Sequence, residues 1–242
     1  MGIKVIITHP NGNRRSEPVV LGFDTSLPHC DAALFHDADF NNLTEPMKRG
    51  QGERLMPLLE ELLASEGLTW KDIELIAVGI GPGNFTGIRI AVAAARGLGL
   101  GLGIPVLGVS SFEAMLDPDG QSAGPSIMMS LPAPRDHAYV QHFRYGKPTS
   151  PPVDYDLENL PDDLQFPINT EVIGYEAEKL CLAGHASSWE ARDLQKVAAR
   201  IARRGYVLFN YERDWMPERP SPLYIRAADA APPRDPAPVI LP

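Results

Sequence analysis

Apolar positions along the first half of the chain alternate between two periods. Residues 19–26, VVLGFDTS, form a short apolar run that ends at Asp24 and predicts a strand. A second strand is expected near 31–36, DAALFH, after a turn that carries Pro28. The spacing then changes. Leu55, Leu58, Leu59, Leu62 and Leu63 fall at i, i+3, i+4, i+7 and i+8, which predicts an amphipathic helix over 53–65. Pro57 is tolerated in a first turn, so the expected start is Glu53, and Gly67 is the expected stop. Residues 73–79 read as a buried strand, the stretch from Thr86 to Gly103 as a helix, and 104–110 as a further strand. The order β-β-α-β-α-β places the chain in the α/β class.

The second half is less regular. Residues 126–146 predict a hairpin turning near Pro134–Asp136, and 147–169, rich in proline and aspartate, read as loop. Residues 171–185 suggest a helical turn and a strand, and 191–205 a helix. From Pro217 onward prolines recur, which predicts an extended tail. No repeat occurs at solenoid periods.

Composition narrows the picture only a little. The 242 residues are 44% hydrophobic and 22% charged, ordinary values for a globular chain able to bury a sizeable core. No apolar run reaches the roughly 18 residues of a membrane span. The apolar stretch near the start, Val5 to Ile7, is too short for a signal peptide. Two distant cysteines, Cys30 and Cys181, suggest a cytoplasmic protein. A formal charge of −9 argues against a stand-alone nucleic-acid binder but leaves room for a local basic stripe. Arg192, Lys196, Arg200 and Arg204 lie at steps of four with Arg203 beside them. They could be a solvated helix face or a track for nucleic-acid phosphates.

Residues 78–115 hold nine of the 21 glycines. Gly79, Gly81 and Gly83 sit between a strand and a helix, where backbone amides can face an anion. The stretch lacks the lysine of a P-loop, and Asn84 stands where a dinucleotide fingerprint needs glycine. A tight turn without ligand and an anion site both remain open. The helix that follows carries Gly87, Ala91, Ala95, Gly99 and Gly103 at successive steps of four. Each mid-helix glycine costs up to about 1 kcal/mol against alanine, so close packing must compensate, on the protein's own sheet or on a partner helix.

GIGPGNFTGIRIAVAAARGLGLGLGIPVLGVSSFEAM, with LGFDTS upstream and PLYIRAADA downstream, resembles the TsaB family of tRNA threonylcarbamoyladenosine biosynthesis proteins over residues 19–230. The resemblance implies a two-lobed actin-like ATPase (RNase H-like) fold with a reduced second lobe. It divides the chain into an N-terminal extension (1–18), a first lobe (19–109), a second lobe (110–225) and a proline-rich tail (226–242). It also implies a non-catalytic, scaffolding role beside the paralogous catalytic subunit TsaD, with a TsaE-like ATPase in the larger complex, tRNA met only through that complex, and a homodimer when alone. TsaD carries two metal-binding histidines in H-x-x-x-H spacing. The matching positions here are Ser111 and Met115, and neither side chain replaces imidazole. The histidines (His9, His29, His36, His137, His142, His185) form no helical metal pair either, so no metal is expected.

Asp24, Thr25 and Ser26 match the family's first-loop motif, which in true ATPases of this fold supplies a Mg²⁺-linked aspartate and a hydroxyl. With Gly81, Gly83 and Asn84 they are expected to be a vestigial nucleotide loop, or one shared with TsaD around ATP or ADP, with no cofactor held by this chain alone. Arg135, Asp136 and Tyr139 match the second-lobe hairpin and are read as structural. Ser110 and Ser111 have no histidine close in sequence and no nucleophile elbow. For the docking surface, the expectation joins Leu55, Leu58, Leu59 and Leu62 with Gly87, Ala91, Ala95 and Gly99. The alternative class is an enzyme in its own right, an actin-like ATPase or a glycoprotease-like peptidase.

Overall fold

The computed structural model describes residues 17–37, 39–116, 125–192, 196–211 and 219–226. Most of the expected N-terminal extension and of the C-terminal tail lies outside the described residues.

The first sheet contains β1 (Val20–Asp24), β2 (His29–His36), β3 (Asp39–Pro46), β4 (Leu75–Gly79) and β5 (Val106–Val109), in the order β3-β2-β1-β4-β5. β1, β2 and β3 run antiparallel, and β1, β4 and β5 parallel. β3 was not legible in the pattern. Its sequence, DFNNLTEP, is polar because it is an edge strand with no fully buried position, so the alternation that marks a half-buried strand is absent.

Helices α1 (Gln51–Ser65) and α2 (Phe85–Leu102) cover one face of this sheet. α1 begins two residues before the expected start, after Gly50 in a left-handed conformation (φ 91°). Pro57 therefore lies in the second turn. Its position is exposed, so water can satisfy the carbonyl that loses its amide partner. α2 is long and apolar enough to cross a membrane by length and composition alone, yet Ile88, Ala91, Val92, Ala95 and Gly99 pack inward. Gly103, with φ 69°, closes it as a left-handed C-cap.

A second sheet repeats the plan. β6 (Ile127–Ala133) and β7 (His137–Arg144) form the expected hairpin, with Arg135 and Asp136 at positive φ (63° and 56°) in its turn. β8 (Lys147–Pro148) and β9 (Val153–Asp156) pair with β7 inside the stretch expected to be loop. β10 (Glu171–Gly174) and β11 (Ser188–Glu190) run parallel to β6. The order β9-β7-β6-β10-β11 matches that of the first sheet, strand for strand. α4 (Ala177–Ala183) stands where the first lobe has α2, and residues 157–170, where the first lobe has α1, are irregular. This is the two-lobed actin-like fold with a reduced second lobe.

α3 (Ser111–Leu116) lies between the lobes. Ala114 packs toward the first sheet, and Phe112, Met115 and Leu116 toward the second. α5 (Val197–Tyr211) returns to the first lobe. Val197, Ala198, Ile201 and Ala202 bury against Val20, Leu75 and Ala77 on the face opposite α1 and α2. A division at residue 110 therefore does not follow the chain, because the first sheet needs a cover on its second face and takes it from this late helix.

Candidate functional site

The first loop and the glycine loop meet where β1 and β4 end. Asp24 is fully buried, and its Oδ1 accepts from the Ser26 amide and the Ser26 hydroxyl, both at 2.9 Å. Its Oδ2 has no protein partner and faces Gly79, where a Cβ would lie 2.0 Å from it. His29 Nε2 stands 3.6 Å from Asp24 Oδ1, an ion-pair distance. Burial opposes protonation of this imidazole, but the Asp24 carboxylate, followed by Asp31, outweighs it and holds the pKa above the usual value.

The glycines let two loops touch backbone to backbone. The Thr25 hydroxyl donates to the Gly87 carbonyl at 2.6 Å, and the Thr25 carbonyl would lie 1.8 Å from a Cβ on Gly87. The Ser26 carbonyl accepts from the Asn84 amide at 2.6 Å and would lie 2.5 Å from a Cβ on Gly83. Gly81, at φ 93°, presents its carbonyl to the Ser111 amide at 2.9 Å. Asn84 Oδ1 accepts from the Thr86 and Gly87 amides at 2.9 and 3.1 Å. Asp24, Thr25, Ser26, Gly81, Gly83 and Asn84 are thus brought together as expected. The Asn84, Thr86 and Gly87 amides, donors a phosphate would need, are already occupied by this chain. No lysine stands in the loop. These residues do not fit a nucleotide held by this chain alone.

The positions matched to metal histidines fit no better. Ser111 and Met115 are buried, Met115 in the core under the second sheet, and the Ser111 hydroxyl faces the Pro82 carbonyl at 3.5 Å. Among the described residues, no group of three or more His, Cys, Asp or Glu could hold a metal ion. Ser110 caps α3: its hydroxyl accepts from the Glu113 amide at 3.1 Å, while Glu113 Oε2 accepts from the Ser110 amide and hydroxyl. One serine does meet a histidine. Ser126 Oγ lies 2.8 Å from His142 Nε2 and 2.7 Å from Thr170 Oγ1, and His142 Nδ1 lies 2.6 Å from Thr149 Oγ1. Burial, helped by Arg144, lowers the His142 pKa. With a hydroxyl in place of a carboxylate behind the ring, this network staples β6, β7 and β10 and lacks the orienting group of a nucleophilic triad.

The expected docking surface is overturned. Leu55, Leu58, Leu59 and Leu62 are at most 1% exposed, and Ala91 and Ala95 are fully buried, all in one core beneath α1 and α2. Gly87 meets the first loop, and a Cβ on Gly99 would lie 2.1 Å from a Val106 methyl. The small-residue row exists because α2 lies close against its own sheet and first loop. The positions turned outward include Gly52, Met56 and Pro57 on α1 and Ala93, Gly97, Leu100 and Gly101 on α2, interleaved with the charged Glu53, Glu60 and Glu61 on α1 and Arg89 and Arg96 on α2. Leu100 is 87% exposed, and nothing lies within 4 Å of a Cβ added at Gly97 or Gly101. A signal for this face was present in the sequence: Gly97 and Gly101 lie off the buried row, so close packing within the chain does not account for them.

The basic stripe is broken as well. Helix α5 starts at Val197, so Arg192 and Lys196 precede it, and Lys196 has a positive φ of 51°. Arg192 is held by Glu190 at 2.9 Å and donates to the Met115 carbonyl at 2.8 Å. Arg200 and Arg204 are on the helix but half-buried, and Lys196 alone of the four is exposed. These residues form no continuous solvent-facing track.

Sequence reasoning missed a cluster at the mouth between the lobes. Phe85 stacks on Tyr224 (centroids 4.6 Å apart), and the Arg89 guanidinium lies 3.8 Å from the Phe85 centroid and donates from Nε to the Tyr224 hydroxyl at 2.8 Å. Beside it, a cleft of about 290 Å³ is lined by residues of both lobes, among them Asn84, Ile88, Pro134 and Tyr139. Residues 135 positions apart make this cluster, so no local pattern announces it.

Comparison with known proteins adds a lineage. Residues 45–184 match the family described as TsaD, tRNA N6-adenosine threonylcarbamoyltransferase. The chain is 26% identical to the tRNA threonylcarbamoyladenosine biosynthesis protein TsaB of Escherichia coli over 207 residues, 82% of this chain and 84% of that protein. It is 35% identical to the Haemophilus influenzae protein of the same name over 96 residues, which spans 40% of this chain and 41% of that one. A Pseudomonas aeruginosa structure described as similar to peptidase YeaZ superposes with a TM-score of 0.65 at 22% identity, covering 86% of this chain and all of that one.

Proposed function

This chain belongs to the tRNA N6-adenosine threonylcarbamoyltransferase family, among its TsaB members, and on that premise we propose that it is a non-catalytic subunit in threonylcarbamoyladenosine biosynthesis, docking a TsaD-like catalytic subunit. The observation that carries this reading is the occupied first loop. Gly79, Gly83 and Gly87 admit Asp24, Ser26 and Thr25 at distances no side chain would allow, and Asn84 caps the helix amides. A site filled by its own chain is a framework, and its product is shape.

The outward faces of α1 and α2 supply the docking surface in this proposal. They set small and apolar positions among charged ones such as Glu60 and Arg96, lie side by side on one layer, and would bring backbone close to a partner at Gly97 and Gly101. A TsaE-like ATPase and tRNA then meet this chain only within the assembled complex, and a second copy of the chain is the competing occupant of the same face. The test is Leu100→Glu. An isolated Leu100 at 87% exposure contributes little to the fold, so the variant should melt like the parent yet fail to co-purify with the TsaD-like subunit. Unchanged co-purification would move the docking surface elsewhere. Loss of self-association with the TsaD-like contact intact would assign this face to the homodimer.

A further inference from the structure

The chain crosses between the lobes at α3, again ahead of α5, and a third time along residues 219–226. The third crossing makes no regular element, but each of its last four residues holds something. The Leu223 amide donates to the Ile80 carbonyl at 2.8 Å, just past β4 of the first sheet. Tyr224 stacks on Phe85 and takes the Arg89 hydrogen bond, both on the first turns of α2. Leu223 and Ile225 turn the other way and pack against the second-lobe core of Phe112, Met115, Leu131 and Tyr139. Arg226 donates from Nε to Asp154 on β9 and from Nη1 to the Pro134 carbonyl at 3.4 Å in the second-lobe hairpin. His137 holds the other Asp154 oxygen at 2.9 Å, which fixes the carboxylate for Arg226.

We infer that residues 223–226 are an internal strap that ties the first lobe to the second across their cleft. In two-domain proteins that close by a hinge, a bound ligand commonly bridges the lobes. Here the bridge is covalently part of the chain: one anchor at the start of α2, one at Asp154, and two apolar side chains seated between. The cleft beside it is lined by Leu223, Tyr224, Ile225 and Arg226, so the strap forms its wall. Closure then needs no ligand, and the angle between the lobes is set by sequence. This inference concerns the isolated chain and stands whatever docks on α1 and α2.

The test is hydrogen exchange on the full chain and two variants, Tyr224→Ala at the first-lobe anchor and Arg226→Gln at the second-lobe anchor. Tyr224 holds first-lobe partners, so a purely local role would loosen only residues 81–89. A strap predicts more: Tyr224→Ala should also cut protection at 134–139 by about tenfold, and Arg226→Gln should do the same at 81–89. Amides of β1 and β4 should keep parental protection in both. The double variant should loosen the cleft no further than the stronger single one, because either cut releases the same strap. Arg226→Gln removes half-buried polar contacts to Asp154 and the Pro134 carbonyl and leaves the apolar cores intact, so it carries the test alone if Tyr224→Ala fails to fold. Exchange confined to the lobe that was altered, or additive loosening, would overturn the strap.

Discussion

Gly97 offers a perturbation in which stability and binding should move in opposite directions. It sits mid-helix in α2 on the outward face, with nothing within 4 Å of an added Cβ. Replacing a mid-helix glycine by a good helix former gains about 1 kcal/mol, since the glycine loses the most backbone entropy on folding. For a chain of this size that raises the melting temperature by about 2–4 °C. Docking should respond the other way. If a partner helix approaches at Gly97, a leucine there separates the two backbones and breaks contacts along the whole face, and a loss of about 2 kcal/mol is roughly 30-fold in Kd. The assay is Gly97→Leu measured twice, by thermal melting of the isolated chain and by calorimetric titration into the TsaD-like subunit. A higher melting temperature with weaker binding supports an outward docking face. A higher melting temperature with unchanged binding refutes it. A lower melting temperature would mean that α2 is covered at Gly97 by something within the chain.

Other outcomes follow from groups the fold buries or half-buries. Leu59→Ala and Ala95→Leu should destabilise the fold by about 2–5 and 1–3 kcal/mol, through a cavity and through overpacking, in denaturant titration of the isolated chain; parental stability would contradict their placement beneath α1 and α2. The Cys30 thiol, pushed by burial to a pKa of about 12, should resist alkylation in the native state and react only on unfolding, read by mass spectrometry at pH 8. His142, held below its ordinary 6.5 by burial, favours the fold when neutral, so its contribution is present above pH 6.5 and is lost as pH falls toward the lower folded value. His29, held above 6.5, has the opposite sign: its contribution is full below pH 6.5 and is lost as pH rises through the folded value. His142→Gln should therefore flatten the loss of stability as pH falls below 6.5, and His29→Gln should flatten the loss that sets in as pH rises above 6.5.

What the sequence disclosed depended on how local the signal was. The leucine period of α1, the glycine punctuation of α2 and the hairpin of β6 and β7 are all written in neighbouring residues, and all were legible. β3 was invisible because an exposed edge strand has no apolar alternation to show. The early start of α1 was hidden by Pro57, whose exposed position relaxes the rule that confines proline to a first turn. The docking expectation failed for a different reason. Leu59 and Ala95 were identified correctly as close-packing positions, but sequence alone cannot say whether the surface they pack against belongs to the same chain. The Phe85–Tyr224–Arg89 cluster required the fold, because the strap reaches it from the far end of the described chain.

The central claim is that this chain contributes shape and docking to threonylcarbamoyladenosine synthesis, and no chemistry of its own. Reconstituted tRNA modification with purified subunits tests it most directly, with this chain omitted, added as the parent, added as Leu100→Glu, or added as Asp24→Asn. The account predicts product with the parent, a loss with omission and with Leu100→Glu, and product retained with a folded Asp24→Asn, since in this proposal the carboxylate serves to organise the first loop. Modification or ATP hydrolysis by this chain alone, abolished by Asp24→Asn with the fold intact, would contradict it.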